Sequence, residues 1–293
     1  MRGSCVLLAV LVVGVGCSAA SSPNGFSGAG GGGAATLSTT SSGDTGLGGG
    51  FTVSTGGAGG GGVAPGSAEV FAHSGATLYR LDPVTKTVTV VGPFASCGFS
   101  EVIDIAIDKD GSMFATTFGG LYRVDKQTAL CTHIADGGYP NSLSFVPEGT
   151  VDPAAEALVG YQGSSYVRID PKTGSTQTIG AISGGYFSSG DIVSVIGGGT
   201  YLTVQGNGCA DCIIEVDPKS GDMKKMIGPL GKAEVYGLAF WGGSAYGFSS
   251  AGVLFQIDLA TAATTFIPMP NPPLGLSFYG AGSTTSAPLM PPE

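Results

Sequence analysis

Residues 166–174 read Tyr166-Val-Arg-Ile-Asp-Pro-Lys-Thr-Gly174, and four similar stretches occur elsewhere in the chain. Each stretch alternates apolar and polar residues, a pattern typical of a β-strand with one buried face. An Asp follows the alternating run, often with Pro next to it, and a Thr or Ser comes soon after. The aspartates of the five copies are Asp82, Asp125, Asp170, Asp217 and Asp258.

The spacing of these aspartates indicates the architecture. Successive copies lie 41 to 47 residues apart, which is the length of one four-stranded propeller blade. An Asp at a strand end accepts backbone N–H groups, Pro presets the first turn dihedral, and Gly takes the left-handed position. Each copy therefore predicts the hairpin between the two outer strands of a blade. We interpret the aspartates as turn formers, because a calcium array would need further oxygen ligands on each turn.

The first copy lacks one strand, and the end of the chain supplies a candidate for it. Residues 70–91 provide only three strands, whereas Gly275-Leu-Ser-Phe-Tyr279 resembles the innermost strands of the other copies. A ring closed in this way leaves no open sheet edge. We therefore predict an all-β, five-bladed β-propeller over residues 67–280, whose N-terminal blade is completed by a C-terminal strand. The tail 281–293, rich in Pro, Ser and Thr, is predicted to be unstructured.

The N-terminal region carries the features of an export signal. Residues 1–16 combine Arg2 with an apolar stretch too short to span a bilayer, as in a secretory signal peptide. Val13-Gly-Val-Gly-Cys17 resembles the lipobox of bacterial lipoproteins, which implies that Cys17 is lipidated; ordinary secretion with Cys17 removed or free is the alternative. Residues 17–66 are mostly Gly, Ser, Thr and Ala, which predicts a disordered tether.

Charge and cysteine content narrow the function classes. The chain has 12 basic and 21 acidic residues, so nucleic acid is an unfavourable partner. Four cysteines follow Cys17, and an even number in an exported chain predicts two disulfides. Cys209 and Cys212 would close a small hairpin loop, with half a zinc site or a redox centre as alternatives. Cys97 and Cys131 pair by elimination, although the strand assignment places them on opposite faces.

Catalytic motifs are missing from the sequence. There is no H-E-x-x-H and no G-x-S-x-G, and the two histidines are His73 and His133. His73 is predicted on the second strand of blade one, and His133 on the outermost strand of blade two. This scarcity favours binding over catalysis.

Aromatic residues in the connections between blades are the first candidate site. Two adjacent connections contain Gly-Gly-Tyr, ending at Tyr139 and Tyr186, and Phe99 and Phe187 add aromatic surface. Glycine lets such loops bend while the ring stands free to contact a ligand. We expect these four residues to bind a glycan or a protein; the alternative is that they cover the core between blades.

The starts of the innermost strands are the second candidate site. Overlaying the blades predicts that one position of each strand meets at the channel mouth, namely Asp104, Ser142, Asp191, Gly237 and Gly275. Converging carboxylates bind hard cations such as calcium or raise one another's pKa. Asp104 and Asp191 are therefore candidate metal ligands, with strand capping or binding of channel water as the alternative.

The lipobox, the glycine-rich tether and the apolar-Asp-Pro-x-Thr-Gly blades together resemble the β-propeller lipoproteins of bacteria such as the myxobacteria. The resemblance implies an exported outer-membrane lipoprotein, periplasmic or at the cell surface, that touches the membrane only through its lipid. We predict a monomeric, non-catalytic binding module for a glycan or protein, without a cofactor and without nucleic acid. The alternative is a calcium-dependent hydrolase or lyase at the channel mouth, similar to gluconolactonase-like and streptogramin-lyase-like propellers.

Overall fold

A computed structural model describes residues 69–291 as five four-stranded antiparallel sheets arranged in a ring. The predicted five-bladed β-propeller is confirmed. Within this range there is no helix with the length and hydropathy needed to cross a membrane. The predicted signal peptide, Cys17 and the tether to residue 66 lie outside the described residues.

The five blades follow one another along the chain, and the first is composite. Blade one consists of β1 (Val70–His73), β2 (Thr77–Leu81), β3 (Val88–Pro93) and the closing strand β20 (Gly280–Ser283). Blade two consists of β4 (Val102–Ile107), β5 (Met113–Thr117), β6 (Gly120–Val124) and β7 (Cys131–Asp136). Blade three consists of β8 (Ser142–Val146), β9 (Ala157–Gln162), β10 (Ser165–Ile169) and β11 (Thr176–Ala181). Blade four consists of β12 (Phe187–Ser194), β13 (Thr200–Gly206), β14 (Cys209–Val216) and β15 (Met223–Pro229). Blade five consists of β16 (Val235–Trp241), β17 (Ser244–Ser249), β18 (Leu254–Ile257) and β19 (Thr264–Ile267).

The closing strand lies later in the chain than the sequence predicts. β20 pairs antiparallel with β1, with Val70 opposite Ser283 and His73 opposite Gly280. The prediction of residues 275–279 as this strand is therefore wrong. Phe278 is instead fully buried, and its ring packs edge-on against Phe248 with a centroid distance of 5.2 Å. The apolar pattern of 275–279 thus serves core packing between blades five and one.

The ring has two faces, which the innermost strands define. β4, β8, β12, β16 and β20 occupy the inner edge of their sheets and run in the same direction. We call the side where they begin the entry face and the side where they end the exit face. The connections from each outermost strand to the next blade lie on the entry face.

The residues after β20 cross the exit face, which corrects the prediction of an unstructured tail. Thr284 forms a parallel bridge with Ile107, at the end of β4. The carbonyl of Thr285 accepts the N–H of Ile196, just beyond β12, at 2.8 Å. Because Thr284 and Thr285 are also buried, the ordered ring extends past the predicted boundary at residue 280.

Both ends of the described chain lie on this exit face. The N–H of Thr284 donates to the carbonyl of Glu69, the residue before β1, at 3.2 Å. Further along, the carbonyl of Pro288 accepts the N–H of Gly243 from the exit-face loop of blade five at 3.3 Å. The exit face is therefore occupied by the two ends of the described segment.

The outer turns behave as their repeat predicts. In blade three, a carboxylate oxygen of Asp170 accepts the N–H of Lys172 at 2.8 Å and of Thr173 at 3.3 Å. Asp82, Asp125 and Asp258 make the same pair of contacts. These turns also join neighbouring blades, since the Tyr161 hydroxyl of blade three donates to Gly221 in the turn of blade four at 2.6 Å.

Both predicted disulfides are present. Cys209 and Cys212 lie on β14 with Cα atoms 6.0 Å apart and close the hairpin between β13 and β14. Cys97 and Cys131 have Cα atoms 5.1 Å apart. Their expected separation on opposite faces does not occur, because a parallel bridge between Ala95 and Leu130 brings the connection after β3 alongside the start of β7. Two disulfides are typical of an exported protein.

Candidate functional site

The centre of the ring holds the carboxylates that the sequence predicts at the channel mouth. We call this place the hub. Asp104 on β4 and Asp191 on β12 are both fully buried there. The corresponding positions on the other innermost strands carry only a hydroxyl or no side chain. They are Ser142 on β8, Gly237 on β16 and Gly280 on β20.

Each hub carboxyl ties its own strand to the next blade. Asp104 accepts the N–H of Ile105 at 2.8 Å through Oδ1 and the N–H of Leu143, on β8, at 2.6 Å through Oδ2. Asp191 repeats this arrangement with Ile192 at 2.6 Å and Leu238, on β16, at 2.8 Å. The two side chains therefore satisfy backbone groups that would otherwise be buried without partners.

The two carboxyl groups also lie close enough to influence each other's ionisation. Burial raises the pKa of Asp104 well above its ordinary value, and repulsion from Asp191 adds to the effect. Burial likewise raises the pKa of Asp191 to about 8, against the lowering effect of the Leu238 N–H. Two carboxylates this close cannot both ionise readily, so the neutral, protonated forms of the pair are favoured.

His73 completes the hub and was not recognised as part of it from the sequence. Its ring is fully buried, and Nδ1 donates to the carbonyl of Ser74 at 2.9 Å. Nε2 has no hydrogen-bond partner and lies 3.8 Å from Asp104 Oδ1. Burial lowers the pKa of His73 to about 4, so the ring is neutral at physiological pH. The pairing of β1 with β20 would have been needed to place it here.

Glycine makes room for this cluster. A Cβ on Gly280 would overlap both His73 Nε2 and Asp104 Oδ1. A Cβ on Gly237 would lie 2.8 Å from the backbone nitrogen of Ala281. The hub is thus closed by small residues, which explains why the closing strand reads Gly-Ala-Gly-Ser rather than the apolar pattern of its counterparts.

The contacts of the hub bear on the prediction that Asp104 and Asp191 are metal ligands. Within residues 69–291, no group of three or more His, Cys, Asp and Glu side chains is placed to hold a metal. Both oxygens of Asp104 and of Asp191 already accept backbone N–H groups. The binding of a calcium ion by Asp104 and Asp191 stays a prediction.

Tyr139 does not stand free, which corrects its prediction as a ligand-binding residue. Only 5% of its surface is exposed. Its hydroxyl donates to the carbonyl of Gly174, in the turn of blade three, at 2.9 Å. Tyr139 is therefore an inter-blade contact, the alternative that the sequence left open for this ring. The same Gly-Gly-Tyr pattern has a different role in the next connection.

Tyr186 lines a surface cleft on the entry side of blade four. It is half-buried, and the amide of Asn207 donates to its hydroxyl at 3.3 Å. The cleft has a volume of about 530 Å³ and is also lined by the Cys209–Cys212 disulfide, Met226 and Lys232. Its walls combine an aromatic ring, apolar side chains and three polar side chains, those of Asn207, Asp211 and Lys232.

The remaining predicted aromatics are exposed on the entry face. Phe99 is fully exposed, and Phe187 keeps 42% of its surface in solvent. The structure adds three large apolar side chains on this face that sequence reasoning missed, because nothing in their local pattern separates them from core residues. We call the five together the apolar set. Its members are Phe99, Phe118, Phe187, Leu274 and Tyr279.

Comparison with known protein families finds a match to a repeat family in the C-terminal part of the ring. A family described as a repeat of unknown function, DUF6923, matches residues 154–287. The chain is similar to this repeat over less than half of its length. No curated protein matches the sequence.

Among solved structures, the chain is similar to one from a nidogen/laminin complex, with 13% identity and a TM-score of 0.49 over 75% of this chain and 100% of that one. It is also similar to TolB from Acinetobacter baumannii, with 18% identity and a TM-score of 0.42. That match covers 71% of this chain and 51% of TolB. These scores are low, and the assignment of the fold rests on the strand pairing described above.

Proposed function

We propose that this protein is a non-catalytic binding module that takes a protein partner on its entry face. The observation that carries the proposal is the apolar set, whose members Phe99 and Leu274 are fully exposed to solvent. Aromatic and large apolar side chains that protrude from one face are the usual anchors of protein interfaces. The opposite face is covered by the protein's own residues 284–291.

The hub supports binding rather than catalysis. Asp104, Asp191 and His73 are fully buried, so a substrate on the surface has no contact with them. A general acid or base must come within hydrogen-bond reach of the group that it protonates or deprotonates. The calcium-dependent hydrolase or lyase that the sequence offers as an alternative therefore has no observation in its favour among the described residues.

The cleft at Tyr186 favours a glycan as a second candidate ligand. An aromatic ring beside amide and amine groups suits the stacking and hydrogen bonding of a sugar. Here Tyr186 lines the same cleft as Asn207 and Lys232. Replacing Tyr186 with Ala should then abolish retention on a glycan array without changing the melting temperature. Loss of folding in the variant, or unchanged retention, would count against this candidate.

The protein partner is tested by photo-crosslinking in cells that produce the protein. A benzophenone side chain is placed at position 99 or 274 on the entry face, and at position 90 or 266 as controls. Val90 and Phe266 are also exposed but lie on outermost strands. We expect a discrete higher-mass adduct from positions 99 and 274 alone. Equal adducts at all four positions, or none at positions 99 and 274, would overturn the proposal.

We further propose that Cys17 anchors the protein by a lipid, as an outer-membrane lipoprotein. The two disulfides support an extracytoplasmic location. A Cys17→Ala variant should move from the membrane fraction to the soluble fraction and should lose incorporation of labelled palmitate. Retention of the variant in membranes would show that the lipid is not the anchor.

A further inference from the structure

The charges of the ring are distributed unevenly between its two faces. Among the residues that the structure describes, Lys232 is the only Lys or Arg on an entry-face loop. The remaining cations lie on the two outer strands, in the turns between them, or on the exit face. They are Arg80, Lys86, Lys109, Arg123, Lys126, Arg168, Lys172, Lys219, Lys224 and Lys225.

Acidic side chains, in contrast, do reach the entry face. Glu101 precedes β4, Glu234 precedes β16, and both are exposed. Asp136 ends β7 with 88% of its side chain in solvent, and His133 lies 2.9 Å from it. The entry face therefore carries the apolar set together with these three exposed carboxylates, and a single lysine lies on its loops.

From this arrangement we infer that the entry face binds a protein surface rich in Lys and Arg, which rests on the proposed function. The apolar set supplies the anchors, and the carboxylates around it match cations on the partner. Opposite charges across an interface steer the encounter and reject partners of the wrong charge, although they add less to affinity than the anchors do. An acidic partner would bring like charges together on this face.

The entry face differs in its charges from the rest of the surface of this acidic chain. On the exit face Lys109 lies 2.7 Å from Asp110, and on the outer strands Lys224 lies 2.6 Å from Glu215. A partner that merely responded to net charge would find a mixed surface there. On the entry face it would find carboxylates and apolar side chains together.

The test measures the adduct from position 99 in two charge-altered backgrounds. One carries Glu101→Gln and Glu234→Gln on the entry face; the matched control carries Asp110→Asn and Glu148→Gln on the exit face. Both remove two negative charges. We expect the adduct to fall about five-fold with the entry-face pair and to be unchanged with the control, as befits charges at the rim of an interface. We also expect it to fall as NaCl rises from 0.05 to 0.5 M, by about the same factor.

Each outcome distinguishes this inference from the proposed function. An adduct that forms but responds to neither salt nor the Gln variants would leave a protein partner in place and overturn the basic surface. An adduct that falls equally in both backgrounds would mean that only net charge matters, which also overturns it. The absence of any adduct from position 99 would remove the proposed function together with the inference.

Discussion

The aspartates of the outer turns and the aspartates of the hub are the same side chain in opposite environments. Asp170 in its turn accepts two backbone N–H groups in water, and these hydrogen bonds lower its pKa. Asp191 at the hub also accepts backbone N–H groups, yet burial raises its pKa to about 8. Hydrogen bonding alone therefore does not decide the charge of these groups; the loss of water does.

The two kinds of aspartate act at different places in the fold. The turn aspartates recur in every blade and specify the repeat, and each acts on its own hairpin. The hub aspartates occur in two blades only, and each joins its blade to the next one. A substitution in a turn should be a local event, whereas a substitution at the hub should be felt by the whole ring.

The largest effect is expected from Asp191→Ala. This change leaves the N–H groups of Ile192 and Leu238 buried without partners, and each such group costs about 1–3 kcal/mol. We expect the unfolding free energy from urea titration to fall by about 3 kcal/mol or more. Asp170→Ala is the matched change in a turn, where water replaces the lost bonds, and its melting temperature should fall by only a few degrees. Equal losses in the two variants would refute the distinction between hub and turn.

Next in size is Gly280→Ala, which tests the space at the hub. The added methyl group would overlap His73 and Asp104, so the buried cluster must shift. Overpacking of this kind costs about 1–3 kcal/mol. Gly138→Ala is the control, because a Cβ there meets no atom within 4 Å. Thermal unfolding of both variants gives the comparison, and a stable Gly280→Ala protein would show that the hub is looser than its contacts indicate.

The smallest effect is a dependence of stability on pH. A raised folded-state pKa means that the folded ring holds protons that the unfolded chain has released, so this stabilisation is present below pH 3.8 and is lost as pH rises through about 8. His73 works in reverse, because its lowered pKa costs stability as pH falls from 6.5 through about 4. Between pH 6.5 and 8 we therefore expect titration of the carboxyl pair to change the unfolding free energy.

Urea unfolding between pH 6.5 and 8 should therefore show an unfolding free energy that falls by at most about 1.4 kcal/mol per pH unit for one proton. Asp191→Asn should flatten this slope. The turn aspartates lie outside this window, because the lowered pKa of Asp170 makes its contribution disappear only in acid. A slope that survives in Asp191→Asn would assign it to another group.

Sequence reasoning reached the parts of the fold that repeat. The five turns that begin with Asp indicate the number of blades because each turn is specified by its own few residues, and the Cys209–Cys212 loop is equally local. The closing strand was misplaced because Gly280–Ser283 has no strand pattern of its own. Its small residues leave room for the side chains of His73 and Asp104, which are distant in the chain.

The candidate site divides in the same way. Asp104 and Asp191 were predicted to converge because their blades can be overlaid, and the structure does bring them together. Tyr139 and Tyr186 share the Gly-Gly-Tyr pattern but differ in exposure, because the turn of blade three covers the first ring. No local pattern reports which neighbour will cover a side chain.

The composite first blade also sets the order in which the molecule can be completed. When β1 leaves the ribosome its inner edge has no partner, and it stays unpaired until Gly280–Ser283 has been made. Four whole blades are synthesised in the interval, and the buried cluster around His73 cannot assemble before it ends. Pairing between such distant segments is slow, because a long loop must close first. The ring can therefore close only after residues 280–283 have been synthesised.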